Sequence, residues 1–458
     1  MENMTQTQIE AILEKQKAFF QTNSTKSISF RKQSLKKLLS AIEKHEKAIA
    51  DALWADLHKS YEEAYLTEIS IVTSEIRNHI RHVNCWAKPE RIMSPLALFP
   101  SQSKIISEPL GNALIIAPWN YPFQLLINPL IAAISSGCTA ILKPSPYVPQ
   151  TSLAIQKMIE ETFHKDYIAV VQGNRDINTI LLEQKFDLIF FTGSPDLGKI
   201  VMKAAAKHLT PVVLELGGKS PCIVNADANI ALAAKRIAWG KCLNAGQTCI
   251  APDYVLIQES VKDTFVAAYQ TAIEELYGKS VQSSKHFVRM VSDNAYKRVK
   301  SYLSDGQAVV GGKFIDSERF IEPTVLDNVS PESPIMTTEI FGPIIPLISF
   351  KNIDEAIHFV NARPKPLALY AFGSKNTTDQ ILSQTTSGGA CVNDTIMHIV
   401  NHNIPFGGVG NSGMGKYHGK LSFDAFSNRR AVVTTPTIID LPIRYMPYRF
   451  FALMKKIL

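Results

Sequence analysis

The pattern of apolar residues along the chain changes character near residue 110. Between residues 5 and 85, apolar side chains such as Ile9, Leu35, Leu38 and Ile42 recur at three- and four-residue spacing, with charged residues between them. This periodicity is typical of amphipathic helices, whose apolar stripe packs against a core. The first 85 residues are therefore predicted to be mostly helical.

Beyond residue 110, short apolar runs alternate with helix-length segments. The first runs are 112–117, 139–142, 167–171 and 188–191, with predicted helices such as 125–135 and 152–163 between them. A second series starts at residue 211 and includes 254–257, 309–311, 324–325, 345–350 and 369–373, with predicted helices at 261–276, 292–304 and 353–362. Such alternation favours parallel sheets covered by helices on both faces. We predict an α/β fold with two doubly wound open-sheet domains.

Composition and charge narrow the class of protein. A chain of 458 residues that is 46% apolar and 19% charged is typical of a globular protein with more than one domain. The net charge of +7 is spread along the chain, which argues against nucleic-acid binding. We find no secretory signal and no apolar run long enough to cross a bilayer, so we expect a soluble protein.

The number and spacing of the cysteines indicate in which compartment the protein works and whether it binds zinc. Six cysteines are present, without a CxxC pair and without the His and Cys spacing of metal ligands. This usage favours reduced thiols in the cytoplasm and argues against a zinc site. We therefore predict no bound metal.

The candidate chemistry centres on one thiol. Cys249 ends the polar run 244–249, directly after a predicted helix at 230–243. A thiol in a turn that contains glycine can act as a nucleophile, although an isolated cysteine more often packs in a core. Glu215 lies in an apolar strand before a glycine pair, and Asn120 lies between two prolines. These residues supply a candidate nucleophile, base and oxyanion donor.

Two further stretches have features of a phosphate- or ligand-binding edge. Gly193, Ser194 and Gly198 follow an apolar run and open a predicted helix, whose backbone N–H groups can bind a pyrophosphate. Lys143 ends a predicted strand, at the edge where open α/β sheets bind ligands. A literal G-x-G-x-x-G at 408–413 has no βαβ unit after it, so we do not expect it to bind a dinucleotide.

Together with Glu339–Pro343 and the glycine-rich stretch 405–413, these motifs closely resemble the aldehyde dehydrogenase superfamily, and within it the group called class 3. Matching motifs extend from about residue 50 to about residue 430. The resemblance implies NAD(P)-dependent oxidation of aldehydes to carboxylic acids through a thiohemiacetal and a thioester of Cys249. It implies that Asn120 binds the oxyanion and that Glu215 activates water.

The resemblance also implies the cofactor and substrate residues. The cofactor residues are Lys143, Trp119, Gly193, Ser194, Gly198, Glu339 and Phe341, and the substrate pocket contains Tyr65, Tyr121 and Trp239. An aromatic pocket favours medium- or long-chain aliphatic or aromatic aldehydes. Many family members have Glu where this chain has Pro146. Without that carboxylate, discrimination against a 2′-phosphate is weaker, so NAD or NADP is the expected cofactor.

With these implications, the chain divides into four parts. Residues 1–86 and 109–210 form the predicted dinucleotide-binding domain, and 211–394 the catalytic domain. Residues 87–108 and 395–436 form a β arm and C-terminal loop, and 437–458 a C-terminal tail. The resemblance implies that the arm pairs with a strand near residues 430–434 and helps to make a homodimer.

The tail and the reaction type leave alternatives open. The tail combines aromatic and basic residues, so it can contact an anionic membrane surface weakly or cap the substrate entrance of a neighbouring subunit. The alternatives to aldehyde oxidation are a CoA-acylating aldehyde dehydrogenase and a catalytically silent nucleotide-binding protein. Glu215 argues against the first alternative, and the set of Cys249, Asn120 and Glu215 argues against the second.

Overall fold

The computed structural model describes residues 4–440, 442, 445–448 and 450–457. The helices are α1 (Gln6–Gln21), α2 (Ile28–Leu57), α3 (Tyr61–Ala64), α4 (Ser70–Trp86), α5 (Gln124–Ser136), α6 (Pro149–Thr162), α7 (Arg175–Glu183), α8 (Pro195–Ala206), α9 (Ile230–Cys242), α10 (Lys262–Tyr277), α11 (Asp293–Ser301), α12 (Pro334–Thr337), α13 (Ile353–Asn361), α14 (Lys375–Gln384), α15 (Gly419–Ala425) and α16 (Phe451–Ile457). The strands are β1 (Glu90–Ile92), β2 (Gln102–Pro109), β3 (Asn112–Ile116), β4 (Thr139–Lys143), β5 (Ile168–Val170), β6 (Leu188–Gly193), β7 (Val212–Leu216), β8 (Pro221–Val224), β9 (Tyr254–Gln258), β10 (Gln307–Val310), β11 (Phe314–Ile315), β12 (Phe320–Ile321), β13 (Thr324–Asp327), β14 (Ile344–Phe350), β15 (Ala368–Phe372), β16 (Gly389–Val392), β17 (Gly413–Met414) and β18 (Ser427–Thr434).

The first large sheet has the strand order β17-β7-β6-β3-β4-β5. All of its strands run parallel except β17, which pairs antiparallel to β7. The strand order reverses direction between β3 and β6, which makes this the topological switch point of a doubly wound sheet. Strands β3 and β4 are buried along their whole length, as expected when helices cover both faces of a parallel sheet.

The second large sheet has the order β10-β13-β14-β9-β8-β15-β16 and is parallel except for β10. The chain passes from β7 of the first sheet to β8 of the second through only four residues, 217–220. The predicted α/β class with two doubly wound sheets is therefore confirmed. The boundaries of the predicted domains stay a prediction.

The helical prediction for the N-terminal region is confirmed by α1 to α4, with one irregularity. Between α3 and α4, residues Tyr65–Ile69 form a π-helical turn. A π turn inserts an extra residue into the helix and so changes which side chains face the core. Here it coincides with the burial of Glu68, a residue that matters for the site.

The β arm is a three-stranded antiparallel sheet in the order β1-β2-β18. Arg430 lies opposite Ile106 and Thr434 opposite Gln102, so the arm does pair with the strand near residues 430–434. Its role in a dimer stays a prediction. In the tail, Leu441, Arg444, Arg449 and Leu458 lie outside the described residues. Within the described part of the chain, every helix is too short or too polar to cross a bilayer.

Candidate active site

Several of the predicted site residues meet at one edge of the first sheet. Lys143 ends β4, Glu215 lies near the end of β7, and Asn120 and Ser194 follow β3 and β6. Because these strands are parallel, their carboxyl ends share an edge, which is where open α/β sheets bind ligands. Cys249 comes from the second sheet, in the segment between α9 and β9. The candidate site therefore joins the two sheets.

The loop that carries Cys249 has an unusual backbone. Asn244, Ala245 and Gly246 all have left-handed φ values, of 53°, 51° and 75°. A left-handed alanine costs about 1–2 kcal/mol, so the surrounding contacts must hold the loop in this shape. A Cβ atom at Gly246 would lie 2.3 Å from the carbonyl oxygen of Gly342, so only glycine permits this approach. Within residues 244–250, Cys249 alone is partly exposed, and the loop therefore presents its thiol.

Hydrogen bonds to two other segments, at Glu63 and at residues 289–291, fix this loop. The Asn244 backbone N–H donates to Glu63 Oε1 at 2.8 Å. Gln247 Nε2 donates to the Arg289 carbonyl at 3.1 Å, and Gln247 Oε1 accepts from the Val291 N–H at 3.0 Å. Burial raises the pKa of Glu63 to about 7. Sequence reasoning gave no role to Glu63 or Arg289, because their contacts are remote in sequence.

Asn120 is oriented by the same loop. Its side-chain Nδ2 donates to the Gln247 carbonyl at 2.9 Å, while its own carbonyl accepts from Asn244 Nδ2 at 2.9 Å. A side-chain amide has two N–H donors, so the second remains for a substrate oxygen. Asn120 is buried at 2% exposure. The side-chain amide of Asn120 is thus held in place and keeps one free N–H, which suits its predicted role in binding the oxyanion.

A buried ion pair that the sequence analysis missed supports Asn120. Lys59 Nζ lies 2.6 Å from Glu68 Oε1, with both side chains fully buried. Lys59 also donates to the Asn120 carbonyl at 3.2 Å, and Glu68 Oε2 accepts from the N–H groups of Phe123 and Gln124 at 2.9 and 3.2 Å. The pair therefore holds the backbone on both sides of Tyr121. In the sequence these two charges look like part of a solvated helix face.

The thiol and the carboxylates influence one another. Burial raises the pKa of the Cys249 thiol, and the charges of Glu339 and Glu215 add to this rise. Burial also raises the pKa of Glu215 well above its usual range. Glu215 is 3% exposed, and neither of its oxygens has a hydrogen-bond partner in the described part of the chain. An unpartnered buried carboxyl group close to a thiol is suited to accepting a proton during the reaction.

The glycine-rich stretch 408–413 lies against Glu215 and does not open a helix. Residues Gly410–Ser412 form a 3₁₀ turn, and Gly413 pairs directly opposite Glu215 in the sheet. A Cβ atom at Gly413 would lie 2.1 Å from the Leu214 carbonyl oxygen. This stretch therefore packs against the strand that carries the candidate base, a role the sequence analysis did not assign.

The edge of the sheet fits one end of a dinucleotide. Lys143 Nζ donates to the carbonyls of Pro144 and Gly173 at 2.9 and 2.8 Å, and burial lowers its pKa to about 8. Ser194 caps α8 by accepting from the Leu197 N–H. Pro195 has no N–H and the N–H of Gly198 bonds to the Ser194 carbonyl, so the N–H of Asp196 is the donor that the first turn of α8 leaves for an anion.

Gly193 and Gly198 have packing roles in the same turn. A Cβ atom at Gly198 would lie 2.7 Å from Leu216 Cδ2, so this glycine allows α8 to pack closely on β7. A Cβ atom at Gly193 would lie 2.5 Å from the ring of Phe191. Close packing of the helix on the strand brings the helix N-terminus to the edge of the sheet, as in dinucleotide-binding turns.

Glu339 and Phe341 complete the other end of this edge. Burial, with the charge of Asp253, raises the pKa of Glu339 to about 8, while the Gly218 N–H donates to it. The rings of Phe341 and Trp119 meet edge to face at 5.4 Å. Trp119 also lines a pocket of about 440 Å³, together with Tyr147 and residues 291–295.

The three predicted substrate residues differ in position. Tyr121 is buried, and its hydroxyl bonds to Thr248 Oγ1 at 2.8 Å, next to Cys249. Trp239 in α9 packs against the same apolar cluster as Cys249. Tyr65 lies on the π turn and is 40% exposed. Tyr121 thus contacts the loop 244–250, Trp239 packs against the same apolar cluster as Cys249, and Tyr65 lies at the surface.

Comparison with known proteins decides the family. The family model described as "Aldehyde dehydrogenase family" matches residues 1–432. The chain belongs to the aldehyde dehydrogenase family. This confirms the resemblance and the predicted enzyme class.

Among relatives, the "4,4'-diaponeurosporen-aldehyde dehydrogenase" of Staphylococcus aureus is 48% identical, over 94% of this chain and 95% of the relative. The "Aldehyde dehydrogenase, dimeric NADP-preferring" of Canis lupus familiaris is 40% identical, over 96% of this chain and 98% of the relative. The solved "Substrate bound state of Staphylococcus Aureus AldH" superposes with a TM-score of 0.96 at 46% identity, covering 98% of this chain and 99% of that chain. Homologous aldehyde dehydrogenases use NAD or NADP.

Proposed function

We propose that this aldehyde dehydrogenase oxidises medium- or long-chain aliphatic or aromatic aldehydes to carboxylic acids, with NAD or NADP. One observation carries the proposal. The single partly exposed residue of the loop 244–250 is Cys249, and the loop also orients the amide of Asn120. The buried carboxyl group of Glu215 lies close enough to raise the pKa of that thiol.

The first step is addition of the Cys249 thiolate to the aldehyde carbon. A carbon–sulfur bond forms, and the carbonyl oxygen becomes the oxyanion of a thiohemiacetal. The free N–H of the Asn120 amide and the Cys249 backbone N–H donate to this oxygen. Each such donor lowers the barrier by about 3 kcal/mol. Because burial raises the pKa of the thiol, its proton must leave as the aldehyde binds, and solvent water at the partly exposed Cys249 accepts it.

Two further steps release the product. In the first of these steps the thiohemiacetal carbon loses a hydride and a thioester remains; a bound dinucleotide would supply the acceptor for that hydride. The residues that would hold this dinucleotide are Lys143, Trp119, Gly193, Ser194, Gly198, Glu339 and Phe341. Glu215 then accepts a proton from water, the water oxygen adds to the thioester carbon, and the carbon–sulfur bond breaks. Glu215 passes this proton to the departing sulfur, so the products are the carboxylic acid and the regenerated Cys249 thiol.

The substrate class is supported by two aromatic residues of the candidate pocket. Tyr121 bonds to Thr248, next to Cys249, and Trp239 packs against the same large apolar cluster as Cys249. Apolar surroundings favour long or aromatic aldehydes over small polar ones. We assign Tyr65 to the outer part of the same pocket, since it is exposed on the adjacent π turn.

We also propose an oligomeric state, a cellular compartment and a division into domains for this protein. We propose a cytoplasmic homodimer in which the arm β1-β2-β18 contacts the second copy. The canine relative is named dimeric. All six cysteines are unpaired, which fits a reducing compartment. We assign the cofactor domain to 1–86 and 109–210, and the catalytic domain to 211–394.

The C-terminal tail has two possible roles. Ile438, Met446, Tyr448 and Phe451 expose much of their apolar side chains. Capping the substrate entrance of the second subunit would bury these side chains, and we favour this role over weak contact with an anionic membrane surface. Truncation after Thr437 distinguishes the two: a changed chain-length preference supports the cap, and loss of binding to anionic vesicles supports the membrane surface.

The decisive experiment measures NADH or NADPH formation from decanal and benzaldehyde without CoA. We expect turnover, and we expect Cys249→Ser to abolish it, while Cys242→Ser, in the buried core seven residues earlier, retains it. Turnover only when CoA is added would indicate the acylating enzyme instead. Binding of dinucleotide without turnover of any aldehyde would indicate the silent protein.

A further inference from the structure

The candidate base lies against a glycine turn that also contacts a lysine. A Cβ atom at Gly407 would lie 2.8 Å from Glu215 Oε1 and 3.0 Å from Lys416 Cδ. Gly407 therefore lies between the carboxyl group and the lysine side chain. Any side chain at this position would displace one of them.

Backbone carbonyls hold the ammonium group of Lys416. It donates to the carbonyls of Gly407, Gly408 and Gly388, and the last two distances are 3.2 and 3.4 Å. Among the residues that the structure describes, no carboxylate forms an ion pair with Lys416. Its charge is therefore not neutralised by an acidic partner, and it acts on the nearby Glu215.

We propose that Lys416 is a positioning residue for hydrolysis of the thioester: it clamps the Gly407–Gly408 turn against Glu215 and supplies a positive charge that favours the ionised form of this base. The inference rests on the proposed role of Glu215 and deepens it. In this role Lys416 acts through the carboxyl group of Glu215 and not on the substrate itself.

The other titratable groups around Glu215 do not supply this charge. Burial raises the pKa values of Cys249 and Tyr417, and the negative charge of Glu215 adds to both rises. Both groups are therefore neutral near pH 7. Lys416 is the group whose charge lowers the pKa of Glu215, against the larger effect of burial. Glu215 in turn raises the pKa of Lys416, which burial lowers.

This arrangement predicts a specific pH dependence. Glu215 must be ionised to accept a proton from water, so hydrolysis fails at low pH, when the carboxyl group is protonated. Removing the charge of Lys416 raises the pKa of Glu215 further. The acidic limb of the hydrolysis rate then moves to higher pH, by about one unit for a partly exposed neighbouring charge. Hydride transfer, which does not use Glu215 as a base, keeps its rate.

The test compares variants by stopped-flow measurement of NADH, from pH 6 to pH 9.5. The burst reports formation of the thioester, and the steady-state rate reports its hydrolysis. Lys416→Met and Lys416→Gln remove the charge, and the glutamine retains donors for the glycine carbonyls. Lys416→Arg retains both the charge and the donors. Lys420→Met is the matched control, because Lys420 is an exposed lysine four residues further on that pairs with Asp424.

We expect Lys416→Met and Lys416→Gln to keep the burst amplitude. Their steady-state rates should fall about fivefold near the midpoint of the limb, as a shift of about one pH unit requires, and recover at high pH. Lys416→Arg and Lys420→Met should match the wild type within about twofold at every pH. Equal loss at all pH values, or no shift of the limb in either neutral variant, would overturn the proposal.

One further variant separates this inference from the proposed role of the base. Glu215→Gln should show a burst without steady-state turnover at every pH. If Glu215→Gln turns over normally, Glu215 is not the base, and the proposed mechanism fails together with this inference. If Glu215→Gln stalls but the neutral Lys416 variants do not shift the limb, only the inference fails.

Discussion

Lys59 and Glu68 form a fully buried ion pair whose atoms also bond to the backbone on either side of Tyr121. One charged pair thus joins the π turn to the segment that carries Asn120. A buried charge that loses its partner is strongly destabilising, whereas replacing both charges by apolar groups can be nearly neutral. The pair therefore offers a way to separate stability from catalytic geometry.

Replacing Lys59 alone should destabilise the fold. We expect Lys59→Met to lower the free energy of unfolding by about 3–5 kcal/mol, because Glu68 remains buried without its cation. Lys59→Met with Glu68→Met should cost less than this single change. Urea denaturation measures both values. A double variant that is less stable than Lys59→Met would show that the bonds from Glu68 to the start of α5 outweigh the ion pair.

Two adjacent glycines provide a test of the position of Glu339. A Cβ atom at Gly217 would lie 2.0 Å from Glu339 Oε2, whereas one at Gly218 would make ordinary contacts at 3.6 Å. Gly217→Ala should displace the carboxylate of Glu339 and raise the KM for NAD by about tenfold. Gly218→Ala, which retains the N–H that donates to Glu339, is the matched control. Equal KM values in the two variants would argue against a cofactor role for Glu339.

The contact between Glu75 and His402 should make stability depend on pH. Burial would raise the pKa of Glu75, but hydrogen bonds from His402 and His79 outweigh it and hold that pKa well below its usual range. The hydrogen bond to Glu75 raises the pKa of His402. The contribution of Glu75 is present above about pH 4.5, and that of His402 is lost as pH rises through its raised pKa. Both contributions are present between about pH 4.5 and pH 6.5.

His402→Gln should therefore cost most stability within that window. We expect a loss of about 2 kcal/mol near pH 6, as for a hydrogen bond to a charged group, and a smaller loss at pH 9. Denaturation at several pH values gives the difference from the wild type. His164→Gln removes an exposed histidine beside Asp166 and should show little effect at any pH. A loss that does not vary with pH would mean that charge on His402 contributes nothing.

Cofactor selection offers a further prediction. Pro146 is exposed just beyond Lys143, where many family members have Glu. We expect both NAD and NADP to support turnover, with kcat/KM values that differ by less than about a thousandfold. Pro146→Glu should lower kcat/KM for NADP at least about tenfold, because a carboxylate repels the 2′-phosphate. A wild-type preference for NAD beyond a thousandfold would contradict this view of Pro146.

Much of the fold could be predicted from the sequence because the spacing of apolar residues within one segment is enough to indicate a helix or a strand. The spacing of Leu35, Leu38 and Ile42 indicates a helix, and the apolar run 139–142 indicates a buried strand. Recognisable motifs likewise led to Cys249, Asn120 and Glu215. Each of these residues lies in a short segment whose glycines or prolines make it distinctive.

The supporting residues could not be predicted, since their partners are remote in sequence. Glu63 bonds to a residue 181 positions away, and Lys416 lies near Glu215 only because β17 pairs with β7. Lys59 and Glu68 have the charges expected of a solvated surface. Only the helix packing and the π turn bury them. The packing role of Gly198 against Leu216 also depends on a contact between elements.

The four-residue connection 217–220 separates the proposed proton acceptor, on the first sheet, from the proposed nucleophile, in the unit built on the second sheet. Glu215 lies just before this connection, and Cys249 lies in the unit that follows it. A small rotation of one sheet against the other would change the separation of these two groups, and the glycine pair 217–218 is where the backbone can bend. Domain closure around a dinucleotide would thus act on the second half of the reaction as well as on binding.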